Sequence, residues 1–539
     1  MAINVEQWQV YEFELSSTVS YENPYYEIDV DVTFSGPNGE SITHPAFWNG
    51  DDRWGVRFAP ISLGDWTYVT SCSDPDNAGL TGQTGAITCV AYIGDKKIYQ
   101  QGWLKKIDGE RFLFYDDGTP FYWLGDTHWN FAILERWDES NKEGFDSQFR
   151  GMVDKRVSQE FTIYQSNLLG SVRTIEAESD ANGFFVENTT FQLINIEFFQ
   201  NDIDLKMAYI AQQGLVNVLG FAWNTFLYTD YVEQMKRFAR YIVARYGAYP
   251  MIWSIVGEGA EYPNSEILME RWREIALEVK QVDGFRHLIT IHYSNERPLP
   301  TYYVGESWLD FVLGQMGHAN ESMHVSNYAN FFEEFPDIPY VEGEAMYEYL
   351  LTLEYPGRRL GNAKLVRHAA YRAIQSGCCG YTYGAQGIWN ALWNSDEPVI
   401  ESNDVFWGTT DWRTAIDSET PDQLTYMKHF YENLPWNELK SRDDIFSAYA
   451  GVAHADYAPN VTAKDDLSVI VYFCSDRYSN IRTTWQMQNL PDATYSIMLF
   501  NPRTGEMTDS GQISAENGSF LVPSVPTEAE DWLWLFEII

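Results

Sequence analysis

The chain has 539 residues, enough for two to four domains with sizeable cores. With 45% hydrophobic and 21% charged residues its composition is that of ordinary globular protein. A net charge of −41 argues against a nucleic-acid or anionic-membrane partner, and it disfavours a highly anionic polymer as substrate.

The N-terminal stretch "MAINVEQWQVYEFEL" has neither the basic n-region nor the apolar h-region of a secretory leader. No apolar run reaches the roughly 18 residues of a membrane span. The expectation is a soluble, cytoplasmic protein. Residues 1–97 then read as β structure. "QWQVYEFEL", "YYEIDVDVTFSG", "WGVRFAPISLGDWTYVTS" and "GAITCVAYIG" are alternating or β-rich runs set off by Gly, Pro, Asn and Asp, the pattern of a β-sandwich.

From residue 98 to 436 apolar strand-like runs alternate with helical stretches. The strands are "FYWLGD", "FTIYQS", "LVNVLGF", "MIWSIVG", "HLITIHY", "DFVLGQM", "PYVEGE" and "GYTYGA". Between them, segments such as "DIDLKMAYIAQQ", "YVEQMKRFARYIVARYG", "EILMERWREIALEVKQV" and "KLVRHAAYRAIQS" carry helical periodicity. Eight such units predict a (β/α)8 barrel. A doubly wound open sheet is the weaker alternative, because no Gly-rich phosphate turn follows the first strand. A long polar insertion near residues 167–190 is expected on the barrel's active face. Residues 437–539 return to β runs, "DLSVIVYFCS", "TTWQMQNL", "YSIMLFNPRTGEM" and "WLWLFEII", and predict a second sandwich. The expected architecture is a TIM barrel flanked by two β-sandwiches.

The five cysteines are odd in number, Cys378 and Cys379 are adjacent, and none has a CxxC spacing. Zinc and a disulfide framework are both unsupported, and a Cys72–Cys89 pair stays open. Aromatic residues make up 16% of the chain, which fits sugar-binding surfaces as well as large cores.

In a barrel of this kind the chemistry sits at the C-terminal ends of the strands. Glu258 ends the fourth strand between Gly257 and Gly259. The seventh ends on Glu342 and Glu344, which share one side of the strand. Glu344 is nearer the mouth and is the candidate; Glu342 lies deeper. Two carboxylates across a barrel mouth suit glycoside hydrolysis, one protonating the leaving oxygen and the other acting on the anomeric carbon. Other strand ends supply Asp126, His128 and Trp129, then Gln165, Trp223, Asn224, His292, Tyr293, His318 and Tyr383. Polar groups among aromatic faces are what a sugar site needs. An apolar wall from Trp253 or Trp223 is expected near Glu258, with the two glycines leaving room beside its carboxyl. Asp126, His128 and His318 form a candidate metal set, but no tight ligand motif such as HExxH supports it, so neither metal nor cofactor is expected. The alternative to an enzyme is a carbohydrate-binding protein on a barrel that has lost catalysis.

"GTPFYWLGDTHWNF", "GLVNVLGFAW", "YPMIWSIVGEGAEY", "PYVEGEAMYE" and "GYTYGAQGIWN" resemble the apiosidase-like family of glycoside hydrolases. The outer regions are similar to the β-sandwiches that often flank such barrels. The resemblance implies a retaining enzyme with Glu258 as acid/base and Glu344 as nucleophile. It places Asp126 in the subsite for the non-reducing sugar, and it implies a plant-derived oligosaccharide or glycoside as substrate. Many members of the wider clan carry Asn just before the acid/base, against the sugar 2-hydroxyl; here that residue is Gly257. Some apiosidase-like members carry Asp at the acid position, and the family name does not fix apiose as the sugar. Exo action is expected from the flanking sandwich and from the long insertion.

Overall fold

The computed structural model describes residues 3–169, 183–186, 191–223, 231–259, 265–293, 301–318, 325–351, 359–395, 407–447, 461–474, 485–526 and 530–539. Asn224 and most of the 167–190 insertion lie outside the described residues.

Eight parallel strands close into a barrel: β1 (Trp123–His128), β2 (Ile163–Leu169), β3 (Val216–Ala222), β4 (Met251–Gly259), β5 (Ile289–Tyr293), β6 (Val312–Gln315), β7 (Tyr340–Glu344) and β8 (Gly380–Tyr383). Each of the eight runs expected from the sequence contributes one stave. Their continuous apolar character follows from burial on both faces, against the barrel interior and against the helices outside. Helices follow most strands: α1 (Gln148–Ser158), α2 (Asp204–Gln212), α3 (Val232–Tyr246), α4 (Ser265–Val282), α5 (Val325–Glu334), α6 (Ala363–Gln375) and α7 (Thr420–Glu432). In α3 the buried residues Met235, Phe238, Ala239, Ile242 and Tyr246 recur at three- and four-residue spacing, so one face seals the barrel. The side chain of Ser147 caps α1 and that of Asn362 caps α6, each accepting a backbone N–H three residues on.

Strand pairing is regular around most of the barrel and slips at two places. Along β4–β5 the register shifts between Ser254 and Gly257 and again between Gly257 and Gly259. Along β6–β7 it shifts where Gly314 and Gln315 face Glu342 and Glu344. Each slip puts the extra residue on the strand that ends in a candidate carboxylate.

The first sandwich packs a five-stranded sheet, which includes Val30–Ser35 and Gly64–Cys72, against a three-stranded one, which includes Arg53–Phe58. Its core holds Val32, Phe34, Val56, Phe58 and Trp66. Buried charge ties it to the barrel. Arg57 reaches Asp204 at 3.2 Å, and Arg245 meets the same carboxylate at 2.6 Å. The last sandwich pairs a six-stranded sheet with a three-stranded one. It docks on α6, where Arg367 grips the buried Asp531 with two bonds of 2.9 and 2.8 Å and Tyr371 stacks on Phe473. All five cysteines are free thiols, so Cys72 and Cys89 are not bridged. No described helix is long and apolar enough to cross a membrane.

Candidate active site

Glu344, the last residue of β7, is 6% exposed. His318, just beyond β6, sets its Nε2 2.9 Å from Oε1, and His292 on β5 sets its Nε2 3.3 Å from Oε2. The other nitrogen of His318 lies 2.8 Å from the Ala345 carbonyl. Burial alone raises the Glu344 carboxyl, but the His318 hydrogen bond and the nearby His292 imidazole outweigh it and hold the group well below the usual carboxylate range. Glu344 is therefore a nearly dry carboxylate biased toward its charged form, with Oε1 bonded to His318 and Oε2 facing His292.

Glu342, two residues earlier, has the opposite setting. It is fully buried, its Oε1 accepts the backbone N–H groups of Met316 (3.1 Å) and Glu344 (3.3 Å), and its Oε2 accepts from the Tyr328 hydroxyl at 2.5 Å. Desolvation prevails over these donors and pushes its carboxyl up to about 8.

Glu258 sits at the irregular end of β4 and is partly exposed. Its φ is +50°, the left-handed region, which costs a non-glycine residue about 1 kcal/mol or more. The unusual backbone is thus at the glutamate itself. The space beside Gly257 is not free for substrate: a Cβ there would lie 2.4 Å from Cε3 and 2.7 Å from Cζ3 of Trp223. Trp223 is the expected apolar neighbour. Trp253 is not, since its indole N–H donates to Asp283 at 2.9 Å and its ring stacks on Phe221.

An aromatic floor joins the two carboxylate strands. Trp129 meets Trp223 edge-on at 5.4 Å and His292 at 5.1 Å, and its N–H donates to the Tyr347 hydroxyl at 3.2 Å. Tyr347 and Trp407 both contact the His318 ring. The sequence reading passed over these two, although Tyr347 stands only three residues past Glu344.

The remaining candidates are engaged elsewhere. Asp126 and His128 belong to a buried charge network with Arg156 and Glu135. His128 Nδ1 is 2.6 Å from Glu135, its Nε2 is 3.3 Å from Asp126, and the Arg156 Nε donates to Asp126. Burial disfavours the His128 cation, yet Glu135 and Asp126 reverse this and push the ring up to about 9. Burial also raises the Asp126 carboxyl, and Arg156 and His128 reverse that to hold it below its ordinary range. Gln165 is fully buried, donating to the Gly343 carbonyl at 2.9 Å and accepting from Thr382 at 3.1 Å. The Tyr293 hydroxyl donates to the Tyr302 carbonyl at 2.7 Å, and that of Tyr383 to Glu348 at 2.6 Å. His318 bonds to Glu344 instead of the Asp126–His128 pair, and among the described residues no group of three or more His, Cys, Asp or Glu is arranged to hold a metal ion.

A family model described as "Apiosidase-like, catalytic domain" matches residues 107–438, and one described as "Domain of unknown function (DUF5060)" matches residues 4–73. No curated protein matches the chain. Among solved structures, a Bacteroides vulgatus protein classed provisionally as a glycoside hydrolase superposes with a TM-score of 0.70 at 15% identity, over 99% of this chain and 100% of its own. A family 5 glycoside hydrolase from Bacteroides vulgatus superposes with a TM-score of 0.63 at 19% identity, over 82% of this chain and 93% of its own. Another glycoside hydrolase gives 0.63 at 19% identity, over 82% and 98%. At such identities the likeness establishes the fold.

Proposed function

Since the chain belongs to the apiosidase-like family of glycoside hydrolase catalytic domains, we propose that it hydrolyses plant-derived oligosaccharides or glycosides with retention of anomeric configuration. Glu344 is the nucleophile and Glu258 the acid/base. One observation carries the assignment: the nearly buried Glu344 carboxylate ends β7 with His318 Nε2 2.9 Å from one oxygen and His292 Nε2 3.3 Å from the other. A carboxylate that stays charged while nearly dry is suited to attack an anomeric carbon and form a glycosyl-enzyme ester. Glu258, three staves away, gives its proton to the departing glycosidic oxygen. It then takes a proton from the water that opens the ester, so the site returns to its starting charge. The buried Trp129 and Trp223 rings, 5.4 Å apart, give this part of the site an apolar wall, beside which electrostatic contacts are stronger than in water. Exo action is part of the proposal and rests on the length of the 167–190 insertion between β2 and α2 and on the flanking sandwich.

The test begins with aryl glycosides and plant oligosaccharides, to find the sugar that is released. Proton NMR early in that reaction then reports the first anomer formed. Retention, loss of turnover in Glu258→Gln, and formation of a glycosyl azide when azide is added to Glu344→Ala are the expected results. An inverted first product, or turnover that survives both substitutions, would refute the assignment. Sugar binding without any turnover by the intact chain would favour the carbohydrate-binding alternative.

A further inference from the structure

The left-handed backbone of Glu258 needs something to hold it, because an isolated strand end relaxes out of that region. The pairing of β4 with β5 is irregular there: Gly257 faces His292 and Gly259 faces Tyr293, with a register slip on each side of Gly257. A close contact on this strand end comes from the residue just past β3. Trp223 bridges Gly257 through the backbone, and its six-membered ring lies against the glycine so closely that no Cβ fits between them.

Trp223 is itself wedged. It is 4% exposed, with Trp129 edge-on at 5.4 Å and His292 edge-on at 6.3 Å. A ring used as a sugar platform keeps an open face. The surfaces of this one are taken up by Gly257, Trp129 and His292. It cannot serve chiefly by stacking on substrate, whereas it is well placed to fix the peptide leading into Glu258.

We propose that Trp223 is the positioning residue for the acid/base: seated on Gly257, its ring pins the end of β4 so that the Glu258 carboxyl is aimed at the glycosidic oxygen. The proposal rests on the reading of Glu258 as acid/base. It also accounts for glycine at position 257, which the indole requires. Proton donation depends on placement to within about an ångström, so freeing the strand end removes acid catalysis while the nucleophile keeps its 2.9 Å bond to His318.

Leaving-group dependence separates this role from a structural one. A 4-methoxyphenyl glycoside needs its oxygen protonated as it leaves; a 2,4-dinitrophenyl glycoside of the same sugar does not. kcat/KM is measured on both for wild type, Glu258→Gln, Trp223→Leu, Trp223→Phe, Gly257→Ala and the double variant Trp223→Leu/Gly257→Ala. Glu258→Gln should lose on the order of 10³-fold on the methoxyphenyl substrate and less than about tenfold on the dinitrophenyl one. Trp223→Leu should show the same selective pattern at roughly 10²-fold, as should Gly257→Ala. The double variant should be no worse than Trp223→Leu alone, because the added methyl then meets no ring. Trp223→Phe serves if the leucine variant does not fold by thermal melting. Equal losses on both substrates, no loss on either, or additive losses in the double variant overturn the positioning role while Glu258→Gln keeps its pattern. If Glu258→Gln lacks leaving-group selectivity, the acid/base reading fails, and the proposal falls with it.

Discussion

Glu342→Gln isolates a single buried proton. The wild-type carboxyl is fully buried, with Tyr328, Met316 and Glu344 as its donors. Glutamine keeps an acceptor for both backbone N–H groups and can donate its amide to the Tyr328 oxygen, so the change removes titration and little else. Burial lifts the group from 4.5 to about 8 in the folded protein. The folded state therefore holds a proton between those values that the unfolded state has released. Wild-type stability is undiminished below about pH 4.5, declines as pH rises through the window, and levels off above about pH 8. At about 1.4 kcal/mol per pH unit the decline between about pH 5 and pH 8 amounts to roughly 4 kcal/mol. With about 2.1 cal/mol/K of unfolding entropy per residue, a barrel of some 330 residues shifts by roughly 1.4 °C per kcal/mol, or about 6 °C in all. Thermal scans of wild type and variant from pH 5 to pH 8 should show the glutamine protein gaining that margin steadily. Reading the difference removes the His128 contribution, which falls in the same direction toward about pH 9 in both proteins. A gap that stays constant within about 1 °C, or that narrows with rising pH, would refute the reasoning.

Two further outcomes follow from the charge placement. His318→Ala removes the hydrogen bond to Glu344 Oε1, so its carboxyl rises and the acid limb of kcat/KM moves to higher pH by about one unit or more; a pH–rate profile checks this, and an unmoved limb counts against His318 as an electrostatic partner. Asp531→Ala strands the buried Arg367 and should cost about 3–5 kcal/mol, whereas Arg367→Met paired with Asp531→Leu should melt close to wild type; equal melting of both variants would show that the docking of the last sandwich does not depend on this pair.

The staves were legible in the sequence because a parallel strand buried on both faces must be continuously apolar, and helices that seal a barrel must repeat every three to four residues. Both patterns are local. What the sequence concealed lies in contacts between distant segments. "GMVDKRVSQE" reads as a solvated helical surface, yet its Arg156 is buried because Asp126 on β1 needs a cation. His292 and Tyr293 are neighbours on one strand and must point to opposite sides. His292 reaches Glu344, while the Tyr293 hydroxyl finds the Tyr302 carbonyl. Nothing local announces that the ring of Trp223 will fill the space over Gly257, because the two meet only through the pairing of β3 with β4.

The two register slips give the site a common logic. A regular barrel strand fixes each side chain by parity and height, and a bulge is the device that re-aims one. Both slips put the surplus residue on a carboxylate strand, and glycine stands at each: Gly257 before Glu258, and Gly343 between Glu342 and Glu344. Glycine is required at each by close approach, from Trp223 in the first case and from Leu313 in the second, whose Cδ1 would lie 2.6 Å from an added Cβ. A bulge also leaves backbone groups without ladder partners, and in a buried barrel these must be satisfied. The Gly343 carbonyl is met by the side-chain amide of Gln165, which reaches it from β2. Trp223 and Gln165, two residues whose types suggest sugar contacts, thus act on the protein's own irregular strand ends. Selection for activity would then bear on these braces as strongly as on the carboxylates, since each brace is what permits its strand to leave the regular ladder.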